Sequence, residues 1–588
     1  MQSHAIHYRI HPAHPAAHRF EVSCTVEAPD PAGQRFALPA WIPGSYLIRD
    51  FARHIIAIRA NAAGKPVRID KIDKHTWQAA QLRNGQTLTV TYQVYAWDLS
   101  VRGAHFDATH AFFNGTSVFL RVLGQEDRPC HIELLPPDGP TFRNWRVATA
   151  LEPASGYKGC AKPYGFGLYR AENYDALIDH PVEMGTFALA TFDACGVPHD
   201  IAITGRHDCD LKRLTADLQR VCVWQIRFFG QPAPMARYIF LVTAVGEGYG
   251  GLEHRASTAL LCARHDLPYR GMPGLPESYR TFLGLCSHEY FHTWNIKRIK
   301  PAAFIPYDLD RENYTRQLWA FEGITSYYDD LALLRSGVIT LKDWLELTAK
   351  TISNVQRGPG RLRQSLAESS FDAWSKFYRP DENTPNAVVS YYAKGALAAL
   401  ALDLTLRRNG HTSLDDVMRA LWQRFGQPGI GVEDDDVRLI AQELSGLDLR
   451  RFFTQAIHGT RDLPLKNLLA PFGIRLAWEK SGTPALGIKT TSEDNEIRLA
   501  TVYDGGAAQQ AGLSSGDVLV AIDGLRATPA SLDKQLARRR AGEEIAVHAF
   551  RRDELMEFKV RLASPAADTA KLVAEEKANA LRTDWLGA

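Results

Sequence analysis

At 588 residues the chain is long enough for roughly three or four domains, and its 45% hydrophobic and 23% charged residues are ordinary globular values. A formal net charge of +2 gives no reason to expect nucleic acid or an acidic membrane as partner. There is no run of about 20 apolar residues to cross a bilayer and no apolar leader after Met1. The eight cysteines form no Cys-x-x-Cys pair and read as reduced thiols. A cytoplasmic protein is expected, or a periplasmic one if the start is a processed one.

Residues 1–195 read as a β domain. Phe20–Val26 and Leu88–Tyr95 alternate apolar and polar, as half-buried strands do, and Val118–Val122 and Phe187–Phe192 are further candidates. The turn Trp41-Ile42-Pro43-Gly44-Ser45-Tyr46 punctuates them, its aromatics expected in core or interface. This suits an antiparallel sandwich or saddle. Residues 196–335 open with a helix over Leu211–Phe229 and a strand over Tyr238–Val242. Gly250-Gly251-Leu252-Glu253-His254 follows. Glycines beside a strand let another backbone approach closely, and a peptide could add to such an edge. Glu253 then meets a charged amine; a turn with a solvated glutamate explains the spacing equally well.

The centre of the chain is Ser287-His288-Glu289-Tyr290-Phe291-His292-Thr293-Trp294. On a helix, His288 and His292 share one face, where two imidazoles can hold one Zn²⁺. Glu289, roughly 100° around, can act as base on a metal-activated water. Three polar groups in so apolar a helix are costly unless something pairs them. The helix is expected over roughly Ser278–Lys297, closed by Lys297-Arg298-Ile299-Lys300-Pro301, whose charges suit a helix C-terminus.

A catalytic zinc takes three protein ligands and keeps one position open. Asp308, Asp310, Glu312, Glu322, Asp329 and Asp330 are downstream candidates. Glu322 is selected as the one acid in the apolar run Leu318–Ile324, with Glu312 second. Residues 336–470 read as a helical domain. Within it, Tyr391-Tyr392 precede a helix; such a tyrosine is usually packing, but could donate to an oxyanion. Residues 471–565 form a small module of short strands and one helix, and residues 566–588 read as a fraying helix or tail.

Five motifs in order carry a resemblance to the glycyl aminopeptidase family of gluzincin zinc metallopeptidases: Trp41–Tyr46, Gly250–His254, His288–Asn295, Phe321-Glu322-Gly323 and Tyr392-Ala393-Lys394-Gly395. The resemblance spans about residues 1–465. It implies a multidomain α+β chain with an N-terminal β-sandwich or saddle, a thermolysin-like catalytic domain and a helical domain. It makes His288, His292 and Glu322 the ligands of one Zn²⁺ per chain and Glu289 the general base. It gives Tyr392 the oxyanion. Gly250, Gly251, Glu253 and His254 become the substrate-binding segment, with Glu253 on the α-amine. Gly or Ala is the implied N-terminal preference. Two departures stand out. The spacer from His292 to Glu322 is longer than in better-known aminopeptidases, whose spacer would end here on Arg311. His254 stands where those enzymes usually carry Asn.

The last module resembles a PDZ domain of the bacterial protease type, through Gly512–Leu519 and Ile522-Asp523-Gly524. Leu486-Gly487-Ile488 is its expected carboxylate-binding loop. Two rival functions are an endopeptidase of the same fold and a PDZ-centred peptide-binding protein with a structural zinc.

Overall fold

The computed structural model describes residues 4–409, 411–480 and 483–587 and divides into two compact units. The first runs to Asn313 and regains Ser336–Ile339 and Trp422–Gly431. The second holds Tyr314–Arg335, Thr340–Leu421 and the chain from Val432 on.

In the first unit, strict alternation makes strands of Arg19–Val26 and Leu88–Tyr95, each burying every second residue. Among the described residues they are inner strands of an eight-stranded sheet, accompanied by two four-stranded sheets. The expected strand Val118–Val122 is only Arg121–Val122; Val118 ends a short helical turn. The apolar run is buried as irregular chain. Hydroxyls of Tyr92, Tyr174 and Tyr8 donate to the carbonyls of Val118, Phe119 and Leu120, replacing a strand's ladder.

Ala188–Ala194 hairpins onto Val197–Thr204, across residues 195 and 196, and joins another sheet. That five-stranded sheet continues through Tyr238–Val245 and Ser257–Ala263 to Tyr249–Glu253, its edge. Helix Leu211–Phe229 begins at Asp210, whose side chain accepts from the Arg213 amide. Gln225 of this helix donates to Ser287 O and Oγ, at 3.0 and 2.9 Å, pinning the helix that carries His288.

That helix, Glu277–Phe291, stops well short of Lys297. His292 is its C-cap, and the chain then turns tightly, with Ile296 at φ 90°. The basic run therefore does not complement a helix dipole. Lys297 is buried against Asp179 at 2.6 Å, and Arg298 donates to the carbonyls of Thr293 and Pro234, each at 2.7 Å. Burial of these polar groups with matched partners, not periodicity, sets the path.

In the second unit, a π-helical turn, Trp319–Gly323, leads into helix Ile324–Arg335. Helix Ala393–Asn409 crosses this turn with almost no gap: a Cβ on Gly323 would lie 2.6 Å from the Gly395 Cα. Five strands between Ile488 and Arg561 form one sheet in the order 488–493, 496–502, 518–522, 544–551, 554–561, with Leu525–Arg526 paired beside the third. Asn386 ties this module to the helices: its amide donates to Val502 O, and its Oδ1 accepts from Asp504 N, both at 3.0 Å.

The expected C-terminal tail contains a strand and a helix. Ala567–Ala574 pairs antiparallel with Ile474–Lys480, and Ala580–Leu586 is a helix capped by Asn579. Its Trp585 is fully buried, and Nε1 donates to Tyr327 Oη at 2.8 Å. An alanine-rich composition hides two large apolar side chains, Trp585 and Leu586, that the second unit buries.

Candidate active site

Within the first unit, the edge strand Tyr249–Glu253 and the helix Glu277–Phe291 bring several of the expected site residues together. His288 and His292, one turn apart, set their rings edge to face with centroids 4.6 Å apart. His292 Nδ1 is 2.8 Å from the backbone carbonyl of Asn295. This assigns the proton to Nδ1 and makes Nε2 the nitrogen that carries the lone pair. The left-handed Ile296, a conformation costing about 1–3 kcal/mol for a β-branched residue, directly follows the residue that supplies this carbonyl.

Glu253, Glu289 and His292 are all buried, and each brings a ligating atom within 4.8 Å of the others. Oε1 of Glu253 is buried with no hydrogen-bond partner among the described residues. A desolvated carboxylate oxygen so placed is suited to accept from a cation or a donor from outside the chain.

Two glycines make room for these acids. A Cβ on Gly251 would stand 2.0 Å from Glu289 Oε1. A Cβ on Gly44 would stand 2.5 Å from Glu253 Oε1, and Gly44 has φ +97°, which other residues avoid. The Trp41–Tyr46 turn thus forms a wall of the Glu253 pocket, a role that sequence reasoning missed. Trp41 and Tyr46 themselves are core, with Trp41 Nε1 donating to Asp308 O at 2.8 Å. Gly250 lies beside Arg102. His254 turns its ring to Asp179, with Nδ1 at 3.4 Å, inside the buried group of Asp179, Lys297 and Arg255. Burial lowers the pKa of His254, so it is a neutral ring that supports the strand end.

In the second unit, Glu322 is buried on the π-helical turn. Tyr391 and Tyr392 stack with centroids 4.8 Å apart, and the hydroxyls of Tyr378 and Tyr392 are hydrogen-bonded at 3.2 Å. Burial first, and then the charge of Glu322, raise the Tyr392 pKa well above its usual value. Tyr392 therefore stays protonated and able to donate. Tyr378 is a second hydroxyl that no sequence spacing pointed to. Of the other acids weighed downstream of His292, Asp308 accepts from Arg311 at 2.5 Å and Asp310 from Arg121 at 2.7 Å.

The donor set suits zinc. Two imidazoles, one oriented through its second nitrogen, and buried carboxylates are the ligand types of a catalytic site, not of a closed thiolate one. No helix among the described residues is long and apolar enough to cross a membrane.

Residues 7–186 match the Peptidase M61 N-terminal domain, residues 281–398 the M61 glycyl aminopeptidase domain and residues 484–562 a PDZ domain. A crystal structure of an aminopeptidase N family protein from Idiomarina loihiensis is 44% identical, with a TM-score of 0.94. The match covers 99% of this chain and 100% of that one. An M1 zinc metallopeptidase from Deinococcus radiodurans matches at 16% identity and a TM-score of 0.48, over 79% of this chain and 96% of that one. Aminopeptidase A of Legionella pneumophila matches at 13% identity and 0.46, over 77% and 49%. No curated protein matches in sequence. The chain belongs to the M61 glycyl aminopeptidase family, metallo-aminopeptidases that hydrolyse peptide bonds, and carries a PDZ domain over residues 484–562.

Proposed function

We propose that this enzyme removes single N-terminal residues, glycine or alanine first, from peptides, with His288, His292 and Glu322 holding one zinc ion. The observation that carries the reading is the buried, unpartnered Oε1 of Glu253 beside Glu289 and His292. It supplies an acceptor for a substrate's α-ammonium at a fixed place on the edge strand.

When bound, zinc supplies Lewis acidity and brings the pKa of water to about 7. Glu253 binds the α-amine, which fixes the first peptide bond relative to Glu289 and confines cleavage to one residue per turnover. Glu289 accepts the proton of the attacking water on its carboxylate and returns it to the leaving amine nitrogen. Tyr392 donates its hydroxyl hydrogen to the carbonyl oxygen as negative charge grows there. Gly250 and Gly251 carry no side chain to hinder close approach of the substrate backbone. The small preferred side chain is taken from the family. The PDZ module is assigned to a peptide C-terminus at Leu486-Gly487-Ile488, beside the edge strand Ile488–Glu493.

The test compares glycyl-p-nitroanilide with its N-acetyl form, with and without chelator, in wild type and Glu289→Gln. Chelator-sensitive cleavage of the free amine alone, lost in Glu289→Gln with metal content unchanged, is expected. Equal cleavage of the acetylated form would make the enzyme an endopeptidase. Full activity in Glu289→Gln would remove Glu289 as base.

A further inference from the structure

Arg102 lies in a loop between strands of the β domain, far in sequence from every motif of the site. Its Nη2 donates to the carbonyl of Gly251 at 3.2 Å, and its Nη1 is 3.6 Å from where a Cβ on Gly250 would be. The guanidinium is thus laid along the strand Tyr249–Glu253, the edge of its sheet. His254 N bonds to Ser257 O to close the hairpin. Counting from that bonded pair, Glu253 and Gly251 fall on alternate, non-bonded positions, whose backbone groups face away from the neighbouring strand. The Gly251 carbonyl that Arg102 holds is therefore on the free side, where a substrate strand would lie.

The loop is built to hold the arginine there. Arg102 N donates to Ser100 Oγ at 3.2 Å, and Ser100 N to Asp98 Oδ1 at 2.9 Å. The fully buried Asn114 donates to Val101 O at 2.8 Å and to Gly103 O at 3.3 Å, fastening both neighbours of Arg102. Yet among the described residues no carboxylate lies within ion-pair distance of Arg102 (4.0 Å). A half-buried arginine without an acid beside a substrate edge, with four of its five N–H donors not used on Gly251, is equipped for an external anion.

We propose that Arg102 binds the free C-terminal carboxylate of the substrate, making dipeptide-sized peptides the preferred class. This rests on the aminopeptidase reading with Glu253 on the amine. The spacing fits: Gly251 is two residues from Glu253, about 6.6–6.8 Å along a strand, and an extended dipeptide separates its ammonium and carboxylate by about the same span. A peptide anchored at Glu253 and running antiparallel to the edge brings its second residue to Gly251. Arginine suits the task because its planar fork meets both oxygens of a carboxylate.

The experiment measures kcat/KM for L-alanyl-L-alanine and for its C-terminal amide, both with a free amine, in wild type, Arg102→Met and Arg102→Gln. Wild type is expected to favour the acid by about tenfold to a hundredfold, chiefly through KM. Both variants should bring the ratio close to one. Arg102→Gln keeps a donor for the Gly251 carbonyl, so it stands in if Arg102→Met does not fold. Equal wild-type rates on acid and amide, or a ratio that survives in both variants, overturns the role of Arg102 and leaves the aminopeptidase reading standing. Failure of wild type to cleave either substrate overturns both.

Discussion

Gly251 and Glu289 occupy the same space: any side chain on the glycine would start 2.0 Å from Oε1 of the glutamate. Glu289 is one residue along the helix from a proposed zinc ligand, so it has little freedom to retreat without turning that helix. Gly251→Ala is therefore expected to lower kcat about a hundredfold, the usual effect of an ångström-scale misplacement of a catalytic group. Metal content should be unchanged. Gly44→Ala pushes on Glu253 instead, from a backbone with φ +97°. It should raise KM for free-amine substrates as well as lower kcat. Wild-type kinetics in Gly251→Ala would show that the strand can move away from the base.

Tyr392 and Tyr378 share a hydrogen bond, but their roles divide on position. Tyr392 adjoins the start of helix Ala393–Asn409, which Gly395 seats directly on the Glu322 turn through Gly323. Tyr392→Phe is expected to reduce kcat about 10²–10³-fold with little change in KM, as for loss of one oxyanion donor. Tyr378→Phe removes only a neighbour of that donor and should cost much less. The two variants are compared on one free-amine substrate at saturation. An equal loss in both would make the pair a structural unit, not a donor and its support.

The proposed site is readable in the sequence where its residues are local. His288, Glu289 and His292 are fixed by helical spacing, and Glu322 stands out as one acid in an apolar run. Contributions that depend on distant contacts were not legible. Gly44 and Arg102 reach the edge strand from the β domain, and a turn glycine or a loop arginine carries no mark of its partner. The orienting group of His292 is a backbone carbonyl, which no residue type encodes. In the fold, alternation marked Arg19–Val26 and Leu88–Tyr95 because each has one buried face. It failed at Val118–Val122, where tyrosine hydroxyls substitute for a ladder, and at the close of the His288 helix, where buried ion pairs set the turn. The hairpin Ala188–Thr204 showed its first strand but not its sheet, since alternation does not name a partner.

Acid sensitivity follows from two buried neutral histidines. His199 is fully buried between Val197 O and Tyr290 Oη, each 2.8 Å from a ring nitrogen. Burial, only partly offset by the hydrogen bond to Val197 O and by Asp193 and Asp200, lowers its pKa to about 4. His105, lowered to about 4 by burial and by His110, behaves alike. The unfolded chain protonates these rings near pH 6.5, so between pH 6.5 and 4 it binds protons that the folded chain does not. Stability conferred by keeping them neutral is complete above pH 6.5 and is lost as pH falls to about 4. For His199 the loss is up to about 3 kcal/mol. Denaturation midpoints measured from pH 7.5 to 4.5 should fall, and His199→Gln should flatten the slope. An unchanged slope in that variant would assign the acid response to other groups.

The C-terminal helix is expected to hold the second unit together. Trp585 donates to Tyr327 Oη, which donates in turn to the buried Asp403 at 2.6 Å. Arg335 bonds the Trp585 carbonyl at 2.6 Å and Asp415 at 3.0 Å, while Arg407 joins Asp403, Asp415 and Asp584. Tyr327 and Arg335 belong to the helix that continues the Glu322 turn. The indole also packs edge-on against Trp344 and on Phe472. Removing it leaves a large cavity and takes away the donor to the buried Tyr327 Oη, so Trp585→Ala should cost about 3–5 kcal/mol. Trp585→Phe keeps much of the volume and should cost less, the difference reporting the lost N–H donor. Deletion of residues 566–588 should lower the denaturant midpoint at least as much as Trp585→Ala and release bound metal at lower denaturant, because Glu322 rides on the same helix. A truncated chain with the wild-type midpoint and metal content would show that this strand and helix rest on the unit without supporting it.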